Sequence, residues 1–497
     1  MQRSTGEAPT RADAPLATAA QQSPPWPAEG QLQGPDGALF PSRGDRERLD
    51  DVLTRALAEA RARVAAGSVT PRIAFDDFRR ELAGFDFVCP RDLGQAVAWV
   101  IDGLERGVVH LTNPRYFGLF NPAPTFPAEC ADRIAGAFNP QLATWTTSPV
   151  AVEIERHVIA AVLRRMRLPA DATGHFTSGG SEANYSALVC ALTRADPAFA
   201  SDGARALRGP PRLYVSRECH VAWFKIAHCA GIGRAAVRLV ATDGSGRMDV
   251  SDLRAQITAD LARHCLPVMV AATAGTTNAG MIDPLEPTAT IAREFGLFYH
   301  VDAAWGGAVI ASDALRGVLA GLELADSATI DAHKWFATTM GCGMFLTRHA
   351  ELLSAAFQSS ASYMPSNIAN LDPYVTTLQW SRRFLGLRLF LALAVAGWQG
   401  LGRHVERCTA LAGEIGRQLT ARGWSIVNRS ALAVLCVEPP PGAADAAAIV
   451  QRVLASGEAW VSVATFEGRK VIRICVTHGE TTLADVARLV EVVTRPA

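Results

Sequence analysis

The sequence predicts an α/β protein with a mainly parallel central sheet, helices on both faces, and a small C-terminal α+β domain. Three observations carry that prediction. Between about residues 170 and 350, short apolar runs alternate with helical patterns. Those runs are continuously apolar, as strands buried on both faces are. Residues able to do chemistry follow the ends of the runs, where open α/β sheets bind ligands. A chain of 497 residues is too long for one small core, so more than one domain is expected.

Composition narrows the function classes. Hydrophobic residues at 49% and charged residues at 19% describe an ordinary globular protein. Lys+Arg and Asp+Glu both number 48, so the basic footprint of a nucleic-acid partner is missing. The most apolar run, 387–398, is interrupted by Arg388 and falls short of the ~20 residues that span a bilayer. The N-terminus is polar and alanine-rich without an apolar signal segment. No membrane association is expected. The ten cysteines are scattered with no Cys-x-x-Cys pair, so neither a metal site nor a disulfide framework is expected. They read as the reduced thiols of a cytoplasmic protein.

Taken in order, residues 1–45 are rich in Pro, Gly, Ala and Gln around Pro24-Pro25-Trp26-Pro27, the composition of a disordered tail. Residues 46–125 read as a helical arm. Leu49, Val52, Leu53, Ala56, Leu57, Ala60 and Val64 recur at helical spacing, and a second helix is predicted over 93–105. Both lie outside any βαβ unit, where a partner subunit would cover them. The aromatic loop 113–122 either covers the core or walls a substrate pocket. A helix over 150–166 follows, with Pro149 near its first turn.

The large domain, 126–400, holds strands predicted at 212–216, 236–239, 267–273, 297–301, 327–330 and 343–347. Helices are predicted between several of them, at 181–193, 249–263 and 287–295. Residues 358–365 show no periodicity and contain Pro365, which reads as a mobile loop. The small domain, 401–497, has a helix over 404–417, strands near 433–437, 460–463 and 471–476, and a closing helix over 483–493.

Four features carry the chemistry. Thr177-Ser178-Gly179-Gly180-Ser181-Glu182-Ala183-Asn184 opens a helix with a glycine pair, which suits an anion on free N–H groups. A plain helix cap reads the same way. Asp302 ends an apolar strand, where a carboxylate calls for a cationic partner or caps the next element. His220 follows a strand, and its flat ring can stack on a cofactor or sit satisfied in the core. Lys334, in Asp331-Ala332-His333-Lys334-Trp335, precedes an apolar segment. Lysine resists burial unless paired, or unless an imine removes its charge. Gly275-Thr276-Thr277 could add hydroxyl and backbone contacts.

In order and spacing, these motifs together with His300-Val301-Asp302-Ala303-Ala304-Trp305 resemble the group II pyridoxal-phosphate-dependent amino acid decarboxylases over roughly residues 46–495. The resemblance implies the aspartate aminotransferase fold (fold type I), pyridoxal 5'-phosphate as cofactor, and decarboxylation of an L-amino acid to its amine. It implies that Lys334 forms the imine, Asp302 pairs with the pyridine nitrogen, Ala304 lies against the ring and His220 stacks on its other face. Gly180, Ser181, Thr277, Asp331 and His333 would hold the phosphate. The family usually has asparagine where this chain has Asp331. Tyr363 matches the loop tyrosine that returns a proton to the substrate, where oxidative relatives carry phenylalanine. Phe120, Trp145 and Trp305 would line the substrate pocket, which points to an aromatic or other uncharged side chain. The resemblance also implies a homodimer with sites at the interface. A carbon–carbon lyase, an amine-aldehyde synthase, or an acidic or diamino acid substrate are the alternatives on the same fold.

Overall fold

The computed structural model describes residues 37–359 and 372–496. Seven strands build the main sheet: β1 (Thr173–Thr177), β2 (Pro211–Ser216), β3 (Val237–Val240), β4 (Leu266–Thr273), β5 (Phe298–Asp302), β6 (Ser327–Asp331) and β7 (Gly343–Thr347). Their order is β1-β7-β6-β5-β4-β2-β3. Strands β3, β2, β4, β5 and β6 pair in parallel, and β7 runs antiparallel to both its neighbours. β1 therefore points the same way as the other five, so six strands deliver their carboxyl ends to one edge of the sheet.

Six of the seven strands fall within about two residues of their predicted positions, because a doubly covered sheet demands unbroken apolar runs. β1 escapes that signal. It opens Thr173-Gly174-His175, and only Phe176 announces burial. The helices Gly180–Ala195, Val250–Ala262 and Leu285–Glu294 match their predictions closely. Five helices of eight or more residues were not legible: Phe75–Ala83, Phe126–Phe138, Ala222–Cys229, Ala350–Phe357 and Ala446–Ser456.

The small sheet joins β8 (Ser425–Ile426), β9 (Val434–Glu438), β10 (Ser462–Phe466) and β11 (Arg469–Cys475) in the antiparallel order β10-β11-β9-β8. β10 starts later than the sequence predicts. Trp460 pairs instead with the aromatic loop: its N–H donates to the Arg115 carbonyl, and its own carbonyl accepts from Phe117 N–H at 2.9 Å. Gly118 makes room, since a Cβ there would stand 2.1 Å from the Trp460 ring.

Helix Leu387–Thr420 crosses from the large domain to the small one and breaks at Gly397 (φ 61°). One apolar cluster runs from Val158 and Phe176 through Trp305 to Val434, Ile474 and Val490, so the two regions share a core. The N-terminal helix begins at Arg43, capped by the Ser42 hydroxyl, and runs to Ala66. Of its apolar residues Ala60 is buried, while Val52, Leu53 and Leu57 are exposed. No helix among the described residues is long and apolar enough to cross a membrane.

Candidate active site

At the carboxyl edge of the sheet lies a cavity of about 320 Å³. Five strand ends contribute. After β1, Ser178 through Ser181 open the helix Gly180–Ala195; after β2 comes His220; after β4, Gly275 and Thr277; at the end of β5, Asp302; after β6, His333 and Lys334. All of these line the one cavity, together with Phe120, Ala304, Trp305 and Asp331. Residues 120 to 334 meet there because parallel strands bring their ends together.

The glycine pair works by close approach. A Cβ on Gly180 would stand 2.9 Å from Asp331 Oδ2 and 3.3 Å from Ala304 Cβ. The N–H groups of Glu182 and Ala183 donate to the Gly179 carbonyl, while Gly180 and Ser181, which precede the first helical hydrogen bond, line the cavity. Ser178 is held by Glu182, which accepts from its N–H at 2.8 Å and its hydroxyl at 2.6 Å. Glu182 also accepts from Gln379, on the segment that follows residue 371.

Two buried carboxylates flank the lysine differently. Asp302 Oδ2 accepts from the Asn184 amide at 2.8 Å and Oδ1 from Ala304 N–H at 3.2 Å. Asp331 is 2% exposed and forms the ion pair with Lys334, Nζ to Oδ2 at 3.0 Å. Its Oδ1 has no hydrogen-bond partner although it is buried. A carboxylate left half-satisfied beside the glycine pair marks a place where a ligand with donors or a counter-cation gains most.

Burial disfavours the charged form of both histidines. His333 Nδ1 accepts from Cys342 N–H at 3.2 Å, which leaves the proton on Nε2, 3.8 Å from Asp331. His220 Nδ1 accepts from Ala222 N–H at 3.2 Å, which leaves the proton on Nε2, and the residue lines the cavity. Burial lowers the pKa of both rings below the ordinary histidine value.

The aromatic wall is a stack. Phe120 lies 4.3 Å from Trp305, and Trp305 lies 4.7 Å from Trp335. Arg473, buried in the small domain, supports it: the guanidinium sits 4.5 Å above Phe120 and donates to the carbonyls of Gly118 and Thr277. Nothing in the sequence around Arg473 signalled this. The small domain had to be docked first.

Trp145 stands apart from the other expected pocket residues. It does not line the cavity; its ring packs with Leu142, Val152 and Phe384, and its indole N–H donates to Glu153 at 2.8 Å. Glu153, on the first turns of the helix Pro149–Arg165, holds the indole there rather than at the sheet edge. Tyr363 lies outside the described residues.

A larger cleft of about 480 Å³, lined by Asp283, Pro284 and Ser430 among others, holds no comparable set. Its buried acid, Asp283, is engaged by the backbone N–H groups of Met248 and Thr273. The chemistry belongs to the smaller cavity.

Residues 96–437 match the family model described as the pyridoxal-dependent decarboxylase conserved domain. The chain belongs to that family. This decarboxylase is 34% identical to cysteine sulfinic acid decarboxylase of Mus musculus over 343 residues, 67% of the chain and 69% of the relative. It is 30% identical to tyrosine decarboxylase of Oryza sativa subsp. japonica over 392 residues, 76% of the chain and 73% of the relative. The crystal structure of mouse CSAD superposes with a TM-score of 0.85 at 26% identity, covering 91% of the decarboxylase and 98% of that chain. The fold type I architecture and the carboxy-lyase class expected from the motifs are thereby established, and pyridoxal phosphate is the cofactor.

The cavity fits that cofactor. A glycine-lined helix N-terminus suits its phosphate, an open-faced buried carboxylate its ring nitrogen, and a lysine between them its carbonyl. The orphaned oxygen of Asp331 sits beside the lysine and the glycine pair.

Proposed function

We propose that the decarboxylase acts on an L-amino acid with an aromatic or other uncharged side chain, releasing the corresponding amine and CO2. The observation that carries this reading is the cavity wall: Phe120 and Trp305 are stacked, and Lys334 is the only lysine or arginine lining the cavity among the described residues. Lys334 is itself paired with Asp331. A substrate with an anionic side chain would bury that charge without a partner, at a cost of several kcal/mol or more. A planar side chain gains from the aromatic wall instead.

Within this reading Lys334 Nζ is the amine that holds the cofactor and yields it to the substrate. When bound, pyridoxal phosphate supplies a carbonyl to capture the substrate amine and a ring that accepts the electron pair left by departing CO2. Asp302 would pair with the ring nitrogen, with Ala304 beneath the ring and the His220 imidazole on its other face. Gly180, Ser181 and Thr277 would hold the phosphate, with the Nε2–H of His333 directed to the same end. Asp331, where relatives usually carry asparagine, would serve Lys334 rather than the phosphate, since its one close partner is Nζ. Tyr363 is proposed as the group that returns a proton to the substrate carbon. Phe120 and Trp305 exclude water and orient the substrate.

A panel of tyrosine, tryptophan, phenylalanine, cysteine sulfinate, glutamate and 2,4-diaminobutyrate tests the specificity, with amine, CO2 and hydrogen peroxide measured together. An aromatic substrate should give the highest kcat/KM, with no peroxide. Cysteine sulfinate or glutamate ranking first would overturn the substrate reading. Peroxide in step with CO2 would replace plain decarboxylation by the amine-aldehyde synthase alternative.

The enzyme is further proposed to be a cytoplasmic homodimer. Val52, Leu53 and Leu57 on the N-terminal helix, with Phe126 and Phe138 (70% and 81% exposed), leave more apolar surface than an isolated subunit usually shows. All ten cysteines are free thiols, in keeping with a reducing compartment. Light scattering should give twice the mass of one chain. A monomer at micromolar concentration would refute the arm as a subunit contact.

A further inference from the structure

Behind Asp302 lies a closed set of polar side chains that the cofactor reading leaves without a role. The Asn184 amide donates to Asp302 Oδ2 at 2.8 Å. Its carbonyl oxygen accepts from the Thr329 hydroxyl at 2.7 Å and lies 3.0 Å from His300 Nε2. His300 Nδ1 is 2.8 Å from the Ser327 hydroxyl. All are buried: Asn184 is 3% exposed, and His300, Ser327 and Thr329 are 0%. Such a set in an apolar core is costly unless every member is satisfied, and this one is.

Each bond in the set has only one possible direction. Asp302 only accepts, so the NH2 of Asn184 must face it, and the Asn184 oxygen must face His300 and Thr329. An amide oxygen has no proton, so His300 carries its hydrogen on Nε2 and accepts from Ser327 on Nδ1. Burial pushes the His300 pKa down to about 4, which keeps the ring neutral with that single proton. The donors therefore run one way: Ser327 to His300, His300 and Thr329 to Asn184, Asn184 to Asp302.

The architecture explains how they meet. His300 and Asp302 are two residues apart on β5 and share a face. Ser327 and Thr329 stand opposite them on β6, in register His300↔Ser327 and Asp302↔Thr329. Asn184 is one turn beyond Gly180 on the cradle helix. Trp223 closes the set edge-on to His300 at 5.8 Å.

We propose that Asn184 and His300 are positioning residues for the reaction: Asn184 fixes the Asp302 carboxylate as an acceptor aimed at the cofactor ring nitrogen, and His300 fixes which way the Asn184 amide points. This rests on the cofactor reading of Asp302. It adds that the helix opening the phosphate cradle also orients the acid at the other end of the cofactor, so the two ends are set by one rigid element.

The test uses full-length enzyme reconstituted with pyridoxal phosphate. Cofactor dissociation constant, absorption spectrum of the bound cofactor, kcat and KM are measured for wild type, Asn184→Ala, His300→Leu, His300→Gln and Thr329→Val. Asn184→Ala should weaken cofactor binding about tenfold or more, the scale of one hydrogen bond to a charged group. It should also shift the spectrum and lower kcat with KM little changed. His300→Leu should move the same quantities in the same direction. His300→Gln, which restores an N–H toward Asn184, should recover most of the loss. Wild-type cofactor affinity and spectrum in Asn184→Ala would overturn the proposal. So would a His300→Gln variant as impaired as His300→Leu, since volume and not the hydrogen bond would then matter. If Asn184→Ala does not fold, the two His300 variants and Thr329→Val decide. Wild type that binds no cofactor would instead remove the reading of Asp302, and the inference with it.

Discussion

Lys334→Ala is expected to abolish the absorption band near about 420 nm that an enzyme-bound cofactor imine gives, and to lower kcat by about 10⁴-fold or more. The reason is specific to this site. Lys334 is the only amine lining the cavity among the described residues, and Asp331 holds it at 3.0 Å from Oδ2. No neighbouring lysine can replace it. Its removal also leaves the Asp331 carboxylate buried without a cation, which carries a stability cost of its own. Lys334→Ala with Asp331→Asn separates the two effects. The double variant should recover thermal stability relative to Lys334→Ala, and neither the band nor the activity should return. A band of wild-type intensity in Lys334→Ala would remove this lysine from its proposed role.

Asp302→Asn is expected to keep the fold and lose about 10²- to 10³-fold in kcat, the range for removing one preorganised electrostatic partner of a developing charge. The substitution is nearly isosteric, but it replaces an acceptor by an amide that must point either its oxygen or its NH2 at Asn184. The Asn184 NH2 already faces that position at 2.8 Å, so it keeps the new oxygen, and the new NH2 takes the place where Oδ1 accepted from Ala304 N–H. On the proposed pairing, the ring nitrogen would then meet a donor in place of an acceptor, and the ring would not be held protonated. Single-turnover measurement of CO2 release checks the chemical step directly. A kcat within threefold of wild type would show that Asp302 is structural.

The fold class was legible in the sequence because it rests on local signals, the family and the cofactor were legible as what the ordered motifs resemble, and the candidate cradle, acid and lysine were named on the same motifs. Continuous apolar runs mark strands buried on both faces, as at Val268 to Ala272, and Gly179-Gly180 marks a close backbone approach. The rest was decided in three dimensions. Trp145 looked like a pocket residue by its place in the order of motifs, yet its indole turns to Glu153. Arg473 and Phe120 are separated by more than 350 positions, and only the docking of β11 against the aromatic loop brings the cation over the ring. β1, with three polar residues and a glycine in five, becomes a strand because β7 offers it a ladder, from Thr173↔Thr347 to Thr177↔Gly343. Asp331 shows the division most clearly. The sequence by itself determined that an acid stands three residues before the lysine. Only the tertiary structure decided its surroundings, by closing β6 against Gly180 and Gly343 and leaving Lys334 Nζ 3.0 Å from its carboxylate. A buried carboxylate is governed by the partners its neighbours leave it, and those partners come from distant parts of the chain.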